Sequence, residues 1–381
     1  MSVKRILILL FANIITVGLV IVLVMSFRIK QATENPVEVF FGKDIEVKEI
    51  VVDNVIQNNA IIEVDLVRDQ KSYSKKDNIV NIVILGRDLT PVKEQRADGG
   101  NTDIMIILAI DLDSKDVKAI SIPRDTVAHM YHYNSKEEID GEFFDKINSA
   151  YSAGGSENDD AFQVKNSVSA IQEYLTTFGT FEMEINNYVE LGLTGLRELT
   201  DKVGGVEIVL NNGIPGVGSR GQQVHLTGKT AMTYIRDRHN SGGDLGRVSN
   251  AQVYVKALAK KMQSVGVKEV VPKVAGSLIK GNLMRTDLTL EEIAALAGLL
   301  EQINVDGIVM QTVDSIEVND IIGIKKHLDT YPYDFEAFYG AKKWKDLTIK
   351  TNDAYDAGVF SEYYSLEEIM INTYYEEVIT N

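Results

Sequence analysis

Hydrophobic residues in the first half of the chain form short, nearly continuous runs. The first spans 79–85 and ends before Gly86, and runs at 103–111 and 117–122 follow, the last of them stopped by Pro123. Apolar runs of this length, rich in β-branched residues, are typical of strands buried on both faces. The pattern therefore predicts three strands in the interior of a sheet.

Downstream of residue 160 the apolar residues recur at helical spacing. Segments 160–174 and 193–203 are predicted helices, and the second ends at Gly204 and Gly205, a common helix stop. Strands and interspersed helices predict an α/β fold in which helices cover a central sheet. The further predicted elements are a strand at 206–210, a short helix from the Thr227 cap to Met232, an amphipathic helix at 250–265, and a helix opened by the capping box of Thr289 and Glu292.

The N-terminus carries an apolar run without a charged residue at 6–27, between Lys4-Arg5 and Arg28. About 20 apolar residues suffice to cross a bilayer, and a cleaved signal peptide has a shorter core. We therefore expect an uncleaved transmembrane helix, with residues 1–30 forming a short N-terminal tip and the anchor. The nearly balanced basic flanks leave its orientation open.

The remaining chain divides into three predicted parts. Residues 31–77 are polar and mixed and are expected to be a spacer with a strand or two, which holds the main domain off the bilayer. Residues 78–313 contain the predicted strands and helices and form the main domain. Residues 314–381 are acidic and rich in tyrosine, with weak periodicity, and are predicted to be a C-terminal extension.

The composition is that of a globular protein with a sizeable core, since 45% of the 381 residues are hydrophobic and 25% are charged. A formal net charge of −16 argues against a broad nucleic-acid-binding surface. The chain has no cysteine, which excludes disulfides, thiolate metal sites and cysteine nucleophiles. The histidines show no metal-ligand spacing, so we expect no zinc site.

Two aspartates stand where predicted strands end or begin. Asp88 follows the first strand, and Asp103 begins the second. If these strands are neighbours, both carboxylates can reach one edge of the sheet and share a Mg²⁺ with phosphate oxygens. Aspartates also commonly cap turns and strands, and the spacing alone leaves both interpretations open.

A group of arginines stands at the ends of predicted elements, with aspartates beside them. A single exposed arginine is usually solvated surface, but this grouping predicts a clamp for phosphate oxygens, with Lys146 as a further cation. Repulsion between these cations in an empty site predicts that a pyrophosphate ligand raises the melting temperature. The group comprises Arg124, Arg236, Arg238 and Arg247, with Asp125, Asp237 and Asp244 available to orient them.

A series of short motifs follows one another along residues 79–300 approximately. They are Leu85-Gly86-Arg87-Asp88, Thr102-Asp103, Ser121-Ile122-Pro123-Arg124-Asp125-Thr126, Lys146-Ile147-Asn148-Ser149-Ala150-Tyr151, Val203-Gly204-Gly205-Val206, Leu226-Thr227-Gly228-Lys229-Thr230-Ala231-Met232-Thr233-Tyr234 and Asp244-Leu245-Gly246-Arg247. In order and content these motifs resemble the LytR-CpsA-Psr family of cell-wall glycopolymer ligases, and the single N-terminal anchor agrees with the resemblance.

The resemblance implies a three-layer αβα domain with a central mixed sheet and a hydrophobic groove for a polyprenyl chain. It implies an anchored, extracytoplasmic enzyme of a Gram-positive type of envelope, with Mg²⁺ as cofactor. Such an enzyme moves a glycopolymer with one phosphate from a polyprenyl-pyrophosphate carrier onto a peptidoglycan hydroxyl and releases the lipid monophosphate. Nucleic acid is not an expected partner.

The same resemblance assigns roles to residues. Asp88 and Asp103 would hold Mg²⁺, and together with Arg124 they would be the catalytic residues. Asp244 would orient Arg247. The residues implied to bind the pyrophosphate are Arg124, Lys146, Arg236, Arg238, Asp244, Arg247 and Gln252.

Two positions depart from the family pattern. Asn101 stands where the family usually has an arginine, and Ala251 stands where it often has the first of two glutamines, so that only Gln252 remains. Asparagine lacks the charge and the forked donors of arginine. These departures motivate an alternative, a non-catalytic relative that binds polyprenyl phosphate or wall polymer as a scaffold or regulator. A third hypothesis is a lipid-pyrophosphate hydrolase that uses water as acceptor.

Overall fold

The computed structural model does not describe every residue of the chain. The predicted membrane anchor lies almost entirely outside the described residues, and within them no helix combines the length and the apolar character needed to cross a bilayer. The described residues are 26, 28–42, 65–87, 101–134, 136, 138–152, 160–176, 181–317, 359–361 and 363–378.

The described elements alternate between strands and helices after an initial run of strands. The strands are β1 (Leu66–Arg68), β2 (Lys71–Lys75), β3 (Ile79–Arg87), β4 (Thr102–Asp111), β5 (Val117–Ile122), β6 (Val127–Tyr133), β7 (Ile139–Lys146), β8 (Asn187–Gly192), β9 (Val206–Val209), β10 (Gln223–Leu226), β11 (Met284–Thr286), β12 (Val309–Thr312), β13 (Ser315–Glu317), β14 (Val359–Ser361) and β15 (Tyr375–Glu377). The helices are α1 (Pro36–Phe41), α2 (Asp160–Thr176), α3 (Leu193–Lys202), α4 (Gly228–Arg236), α5 (Gly243–Ser264), α6 (Val267–Lys280), α7 (Leu290–Leu300) and α8 (Tyr363–Tyr374), with short 3₁₀ turns at Ile147–Tyr151 and Val305–Gly307.

A six-stranded mixed sheet with the order β11-β8-β3-β4-β5-β12 forms the centre. Strand β3 pairs antiparallel with β4 and parallel with β8, and β4 pairs antiparallel with β5. The three strands predicted from the apolar runs are confirmed as β3, β4 and β5. The mixed central sheet that the resemblance implied is also confirmed.

The two faces of the sheet pack against different layers because successive strand residues point to opposite faces. Val83 and Leu85 of β3 face a large core that includes residues of α2 and α8. Val80 and Ile82 face a second core that includes residues of α7. Ala251 of α5 packs against Ile106 of β4 on this second side. The sheet therefore lies between two layers that contain helices.

The long helix α5 begins at Gly243, well before the predicted start at residue 250. The sequence Gly243-Asp244-Leu245-Gly246 has no apolar periodicity, which is why the pattern placed it in a loop. Gly242 supplies the left-handed backbone at the N-cap, with φ of 89°, and an acidic residue in the first turn is favoured by the helix dipole. Asp244 and Arg247 are therefore held on a helix.

Residues from both ends of the described chain meet beside the main sheet. Strand β2 pairs with β1 on one side and with β15 on the other, in the register Tyr375↔Lys75. Leu366 and Met370 of α8 are fully buried in the large core. These contacts join segments that the sequence assigned to the spacer and to the C-terminal extension, and the four-part division itself stays a prediction.

Candidate functional site

The predicted site residues converge at one edge of the central sheet. Strands β4 and β5 are antiparallel, so the start of β4 lies beside the end of β5. This pairing places Asp103 next to Arg124, which follows β5. The N-terminal turns of α5 bring Asp244 and Arg247 to the same edge.

Asp103 is surrounded by three guanidinium groups. Arg124 Nη1 donates to Asp103 Oδ1 at 2.8 Å. Arg247 Nη1 lies 2.9 Å from Asp103 Oδ2, and Arg238 Nη2 lies 3.6 Å from the same oxygen. We call Asp103, Arg124, Arg238, Asp244 and Arg247 the arginine cage. Its centre is a carboxylate that fixes where the three arginines point.

Asp244 is the second carboxylate of the arginine cage. Its oxygens lie 3.4 Å from Arg124 Nη2, 3.4 Å from Arg238 Nε and 3.1 Å from Arg247 Nη2. Burial by itself would raise the pKa of Asp244, but the nearby Arg124, Arg247 and Arg238 outweigh it and hold that pKa below its ordinary value. Asp244 is therefore an anion at neutral pH and orients all three arginines.

Asp125 links the arginine cage to Lys146 at the end of β7. Its carboxylate lies 3.5 Å from Arg124 Nε and 3.4 Å from Lys146 Nζ. Burial raises the pKa of Asp125, and the neighbouring Asp244 carboxylate adds to that rise. Lys146 thus reaches the arginine cage through Asp125.

Arg247 is the most buried cation of the arginine cage, with 4% of its side chain exposed. Its Nε atom is buried and has no hydrogen-bond partner among the described residues. Burial also lowers the pKa of this guanidinium. A buried donor without an acceptor costs about 1–3 kcal/mol of stability, so an anionic ligand that accepts a hydrogen bond from Nε would remove that cost.

The carboxylates of the site change one expectation from the sequence. Repulsion between cations in an empty site was the reason to expect that pyrophosphate raises the melting temperature. Each arginine of the arginine cage already contacts both Asp103 and Asp244, so these carboxylates offset that repulsion before any ligand binds.

Asp237 has a different role, since it accepts hydrogen bonds from Asn240 and Ser241 and stabilises the turn between α4 and α5.

A long apolar cavity of about 570 Å³ ends at the arginine cage. It lies between the sheet and helices α3 and α5–α7. Its polar end is lined by Arg87, Asp103, Arg236, Arg238 and Arg247, and aliphatic side chains line the rest. Cation and hydrocarbon surfaces thus belong to one continuous space.

Arg236 and Gln252 lie outside the arginine cage. Arg236 is the last residue of α4 and is exposed at the mouth of the cavity. Gln252 Nε2 donates to Ser121 Oγ at 2.8 Å and to the carbonyl oxygen of Gln311 at 3.1 Å. Those bonds hold α5 against β5 and β12, and a role of Gln252 in phosphate binding stays a prediction.

The two departures from the family pattern have visible consequences. Asn101 accepts a hydrogen bond from Ser152 Oγ at 3.1 Å and is exposed at the start of β4. Ala251 lies one helical turn after Arg247, is 2% exposed, and lines the cavity next to the arginine cage. The cavity wall is therefore apolar up to the cage.

The described residues offer little to a metal ion by themselves. Asp88 lies outside them, and both oxygens of Asp103 are engaged by arginines. In the described part of the chain no three metal-ligating side chains come together. A Mg²⁺ site would thus depend on Asp88, and we derive no chemical step through the ion.

A second ion cluster, which was not predicted from the sequence, lies on the side of the sheet that faces the large core. Glu190 of β8 is 1% exposed, and Arg285 Nε lies 2.6 Å from its Oε2. Arg87 also contacts Glu190, and its guanidinium lies 5.2 Å from the centroid of the Tyr151 ring. Tyr151 Oη donates to Glu190 at 3.3 Å. A glutamate inside the apolar strand 187–192 was the signal for this Glu190 cluster.

The fold and the site together define an α/β domain in which a long apolar cavity ends at an arginine cage. This chain belongs to the LytR_cpsA_psr family, since the family model matches residues 50–332, more than half of the sequence.

Similar proteins agree with this assignment. The polyisoprenyl-teichoic acid–peptidoglycan teichoic acid transferase TagU of Oceanobacillus iheyensis is 31% identical over 229 residues, which cover 59% of this chain and 63% of that protein. The cell wall biosynthesis protein LcpA of Corynebacterium glutamicum is 29% identical over 188 residues, 47% of this chain and 36% of that protein. The match therefore spans less than two thirds of the length of either relative.

The fold is shared with a solved structure. The crystal structure of B. subtilis TagV superimposes with a TM-score of 0.54 at 19% identity, covering 78% of this chain and 96% of that one. At this level of identity the likeness concerns the fold alone.

Proposed function

We propose that this protein is a membrane-anchored phosphotransferase of cell-wall assembly. It would move a glycopolymer, with one phosphate, from a polyprenyl-pyrophosphate carrier onto a peptidoglycan hydroxyl outside the cytoplasm. The observation that carries the proposal is the continuity of the apolar cavity with the arginine cage. A ligand that fills both must join a hydrocarbon chain to an anionic head, as a polyprenyl pyrophosphate does.

The arginine cage suits the charge changes of phosphoryl transfer. Such a reaction needs positioning and neutralisation of negative charge on phosphate oxygens and on the leaving group more than covalent chemistry from the protein. Arg124, Arg238 and Arg247 would supply forked donors, and Asp103 and Asp244 hold those donors in place before the ligand binds. The lipid tail in the cavity would fix the pyrophosphate at the mouth.

Mg²⁺ is part of the proposal through Asp88 and Asp103. The ion would neutralise pyrophosphate charge when bound, and Asp103 would have to exchange one arginine contact for it. The names of TagU and LcpA support a glycopolymer substrate, because those relatives are named for teichoic acid transfer and cell wall biosynthesis.

The test uses the full chain in detergent with a polyprenyl-pyrophosphate-linked glycan, peptidoglycan fragments, and either Mg²⁺ or a chelator. We expect release of lipid monophosphate together with glycan joined to the acceptor. Arg124→Ala should abolish both products, and Arg220→Ala, which changes an exposed arginine, should retain both. Full turnover in the chelated sample would contradict the role of Mg²⁺, and full turnover by Arg124→Ala would contradict the site.

Asn101 and Ala251 favour a second candidate, a lipid-binding relative without turnover. Neither supplies a charged or forked donor to a phosphate. Lipid that is bound but unchanged, with a carrier that a related transferase accepts, would support this candidate. Lipid monophosphate without glycan on the acceptor would instead indicate hydrolysis.

A further inference from the structure

The segment that follows the predicted anchor is docked along α7. Arg28 Nη1 lies 3.9 Å from Glu291 Oε1 near the start of α7. Farther along, a Cβ on Gly298 would lie 2.8 Å from the carbonyl oxygen of Thr33, so the backbones approach closely there. Residues 28–41 therefore run parallel to α7 from its N-terminus onward.

Apolar packing continues this contact to the end of α7. Val37 and Phe40 of α1 pack against the core that contains Leu299 and Ile303. Ala32 is 3% exposed. Leu299 and Ile303 also line the cavity, so the docked segment covers the outer side of a cavity wall.

Helix α6 packs beside α7 and runs antiparallel to it. Lys268 near the start of α6 lies 2.9 Å from Glu301 just beyond α7. The C-terminus of α6 must then lie beside the N-terminus of α7. Ile279 and Leu290 are the large apolar residues exposed at this end, at 38% and 45%.

The position of the docked segment indicates which part of the protein lies next to the bilayer surface. Residues 28–34 are helical, and the predicted span ends at residue 27. A helix rises 1.5 Å per residue, so the side chain of Arg28 lies within a few ångströms of the end of that span. Because Arg28 contacts Glu291, the neighbouring Leu290 lies at the level of the bilayer surface.

We propose that the end of the α6–α7 pair that carries Ile279, Lys280 and Leu290 rests on the lipid bilayer, held there by the docked segment 28–41. The proposal rests on the membrane anchor of the proposed function. The acidic groups at this end have partners: Glu291 contacts Arg28, the Glu292 carboxylate accepts from the Thr289 backbone N–H and hydroxyl, and Asp287 accepts from the backbone N–H of Tyr188. Lys280 is exposed and can approach lipid phosphates, as basic residues at membrane interfaces do.

This surface would also provide the route of the lipid tail. Leu278, Met284, Leu288 and Ile293 line the cavity and belong to the same end of the helix pair. A polyprenyl chain could then pass from the bilayer into the cavity without crossing water.

The absence of cysteine in the sequence allows a direct test. Leu290→Cys and Ile279→Cys, each in the full chain, would be labelled with a fluorophore and reconstituted into nanodiscs that contain headgroup-quencher lipids. Val309→Cys is the matched control, because Val309 is an aliphatic residue exposed beyond the other end of α7. We expect several-fold stronger quenching at 279 and 290 than at 309.

A second variant tests the role of the docked segment. Gly298→Leu would displace Thr33 while leaving the labelled surface unchanged, so quenching at 290 should fall toward the level at 309. Equal quenching at all three positions, or failure of the full chain to enter nanodiscs, would overturn the proposal. Transferase activity is scored separately, so an active enzyme with equal quenching would refute the orientation alone.

Discussion

The molecule contains two arginine–carboxylate clusters near the central sheet, and they differ in how far their carboxylates are exposed. In the Glu190 cluster the carboxylate is 1% exposed and lies between Arg87 and Arg285. In the arginine cage the Arg238 side chain is 40% exposed and Asp244 is 32% exposed. The same residue types thus form one cluster around a buried carboxylate and one around more exposed groups, and Arg87 of the first also lines the polar end of the cavity.

This difference shows that ion pairs by themselves do not mark a ligand site. The Glu190 cluster joins β3, β8 and β11 and lies against the large core, which is the arrangement of a structural contact. The arginine cage opens into an apolar cavity, where Arg238, Arg247 and Asp103 are part of the lining. We therefore expect the Glu190 cluster to control stability and the arginine cage to control ligand binding.

The largest expected effect is that of Glu190→Ala on stability. Removal of this buried carboxylate takes away the anion that the half-buried Arg87 and Arg285 share, and breaking a buried ion pair typically costs about 3–5 kcal/mol, so we expect a loss toward the lower end of that range. Urea unfolding would measure the loss. Glu190→Gln keeps the shape and some hydrogen bonds and should cost less. A change below about 1 kcal/mol for Glu190→Ala would remove the distinction between the clusters, since surface ion pairs already have that value.

Arg247→Lys should weaken ligand binding by more than it lowers the free energy of unfolding. Lysine keeps the charge but loses the planar fork and the Nε donor, so affinity for pyrophosphate should fall roughly tenfold to hundredfold, the equivalent of one or two charge-assisted hydrogen bonds. Calorimetric titration with pyrophosphate would measure it. Arg220→Lys, the same replacement at an exposed arginine outside the site, serves as the control. Unchanged affinity in Arg247→Lys would contradict the role of the fork.

The smallest expected effect is a difference in pH dependence between Asp125 and Asp244. The pKa of Asp125 is raised, so its contribution to stability is present below the ordinary value of 3.8 and is lost as pH rises through the folded-state pKa. The pKa of Asp244 is lowered, so its contribution is present above 3.8 and is lost as pH falls through the folded-state pKa.

The free energy of unfolding of Asp125→Asn and Asp244→Asn, measured from about pH 3 to 7, would test these signs. Relative to the native chain, Asp125→Asn should gain stability as pH rises, and Asp244→Asn should lose it. If the free energy of unfolding changed with pH by the same slope in both variants, the surroundings of the two carboxylates would not shift their pKa values in opposite directions.

The central strands could be predicted because burial on both faces leaves a continuous apolar run. Strands β3, β4 and β5 follow those runs closely. The start of α5 could not be predicted, because its first turn is built from Gly243, Asp244 and Gly246 and depends on contacts of Asp244 with distant arginines. Such tertiary contacts leave no periodic signal in the sequence.

The candidate site was predicted in its residue types and only partly in its contacts. The arginines were recognised, and Asp103 does lie among them. Their compensation by Asp103 and Asp244 together could not be predicted, because it requires the start of β4 and the start of α5 to meet across more than a hundred residues. Asp88 and the Mg²⁺ site it would complete stay predictions.

The pairing of β2 with β15 has a consequence for the order in which the protein folds. Tyr374 Oη donates to Asn81 Oδ1 at 2.8 Å across 293 positions of sequence, and Tyr375 pairs with Lys75. Contacts of such separation form late, because the intervening chain must first be made and brought together. The large core is completed only when residues 363–377 have been synthesised, so a nascent chain that stalls near residue 360 would leave α2 and the adjoining face of the sheet uncovered.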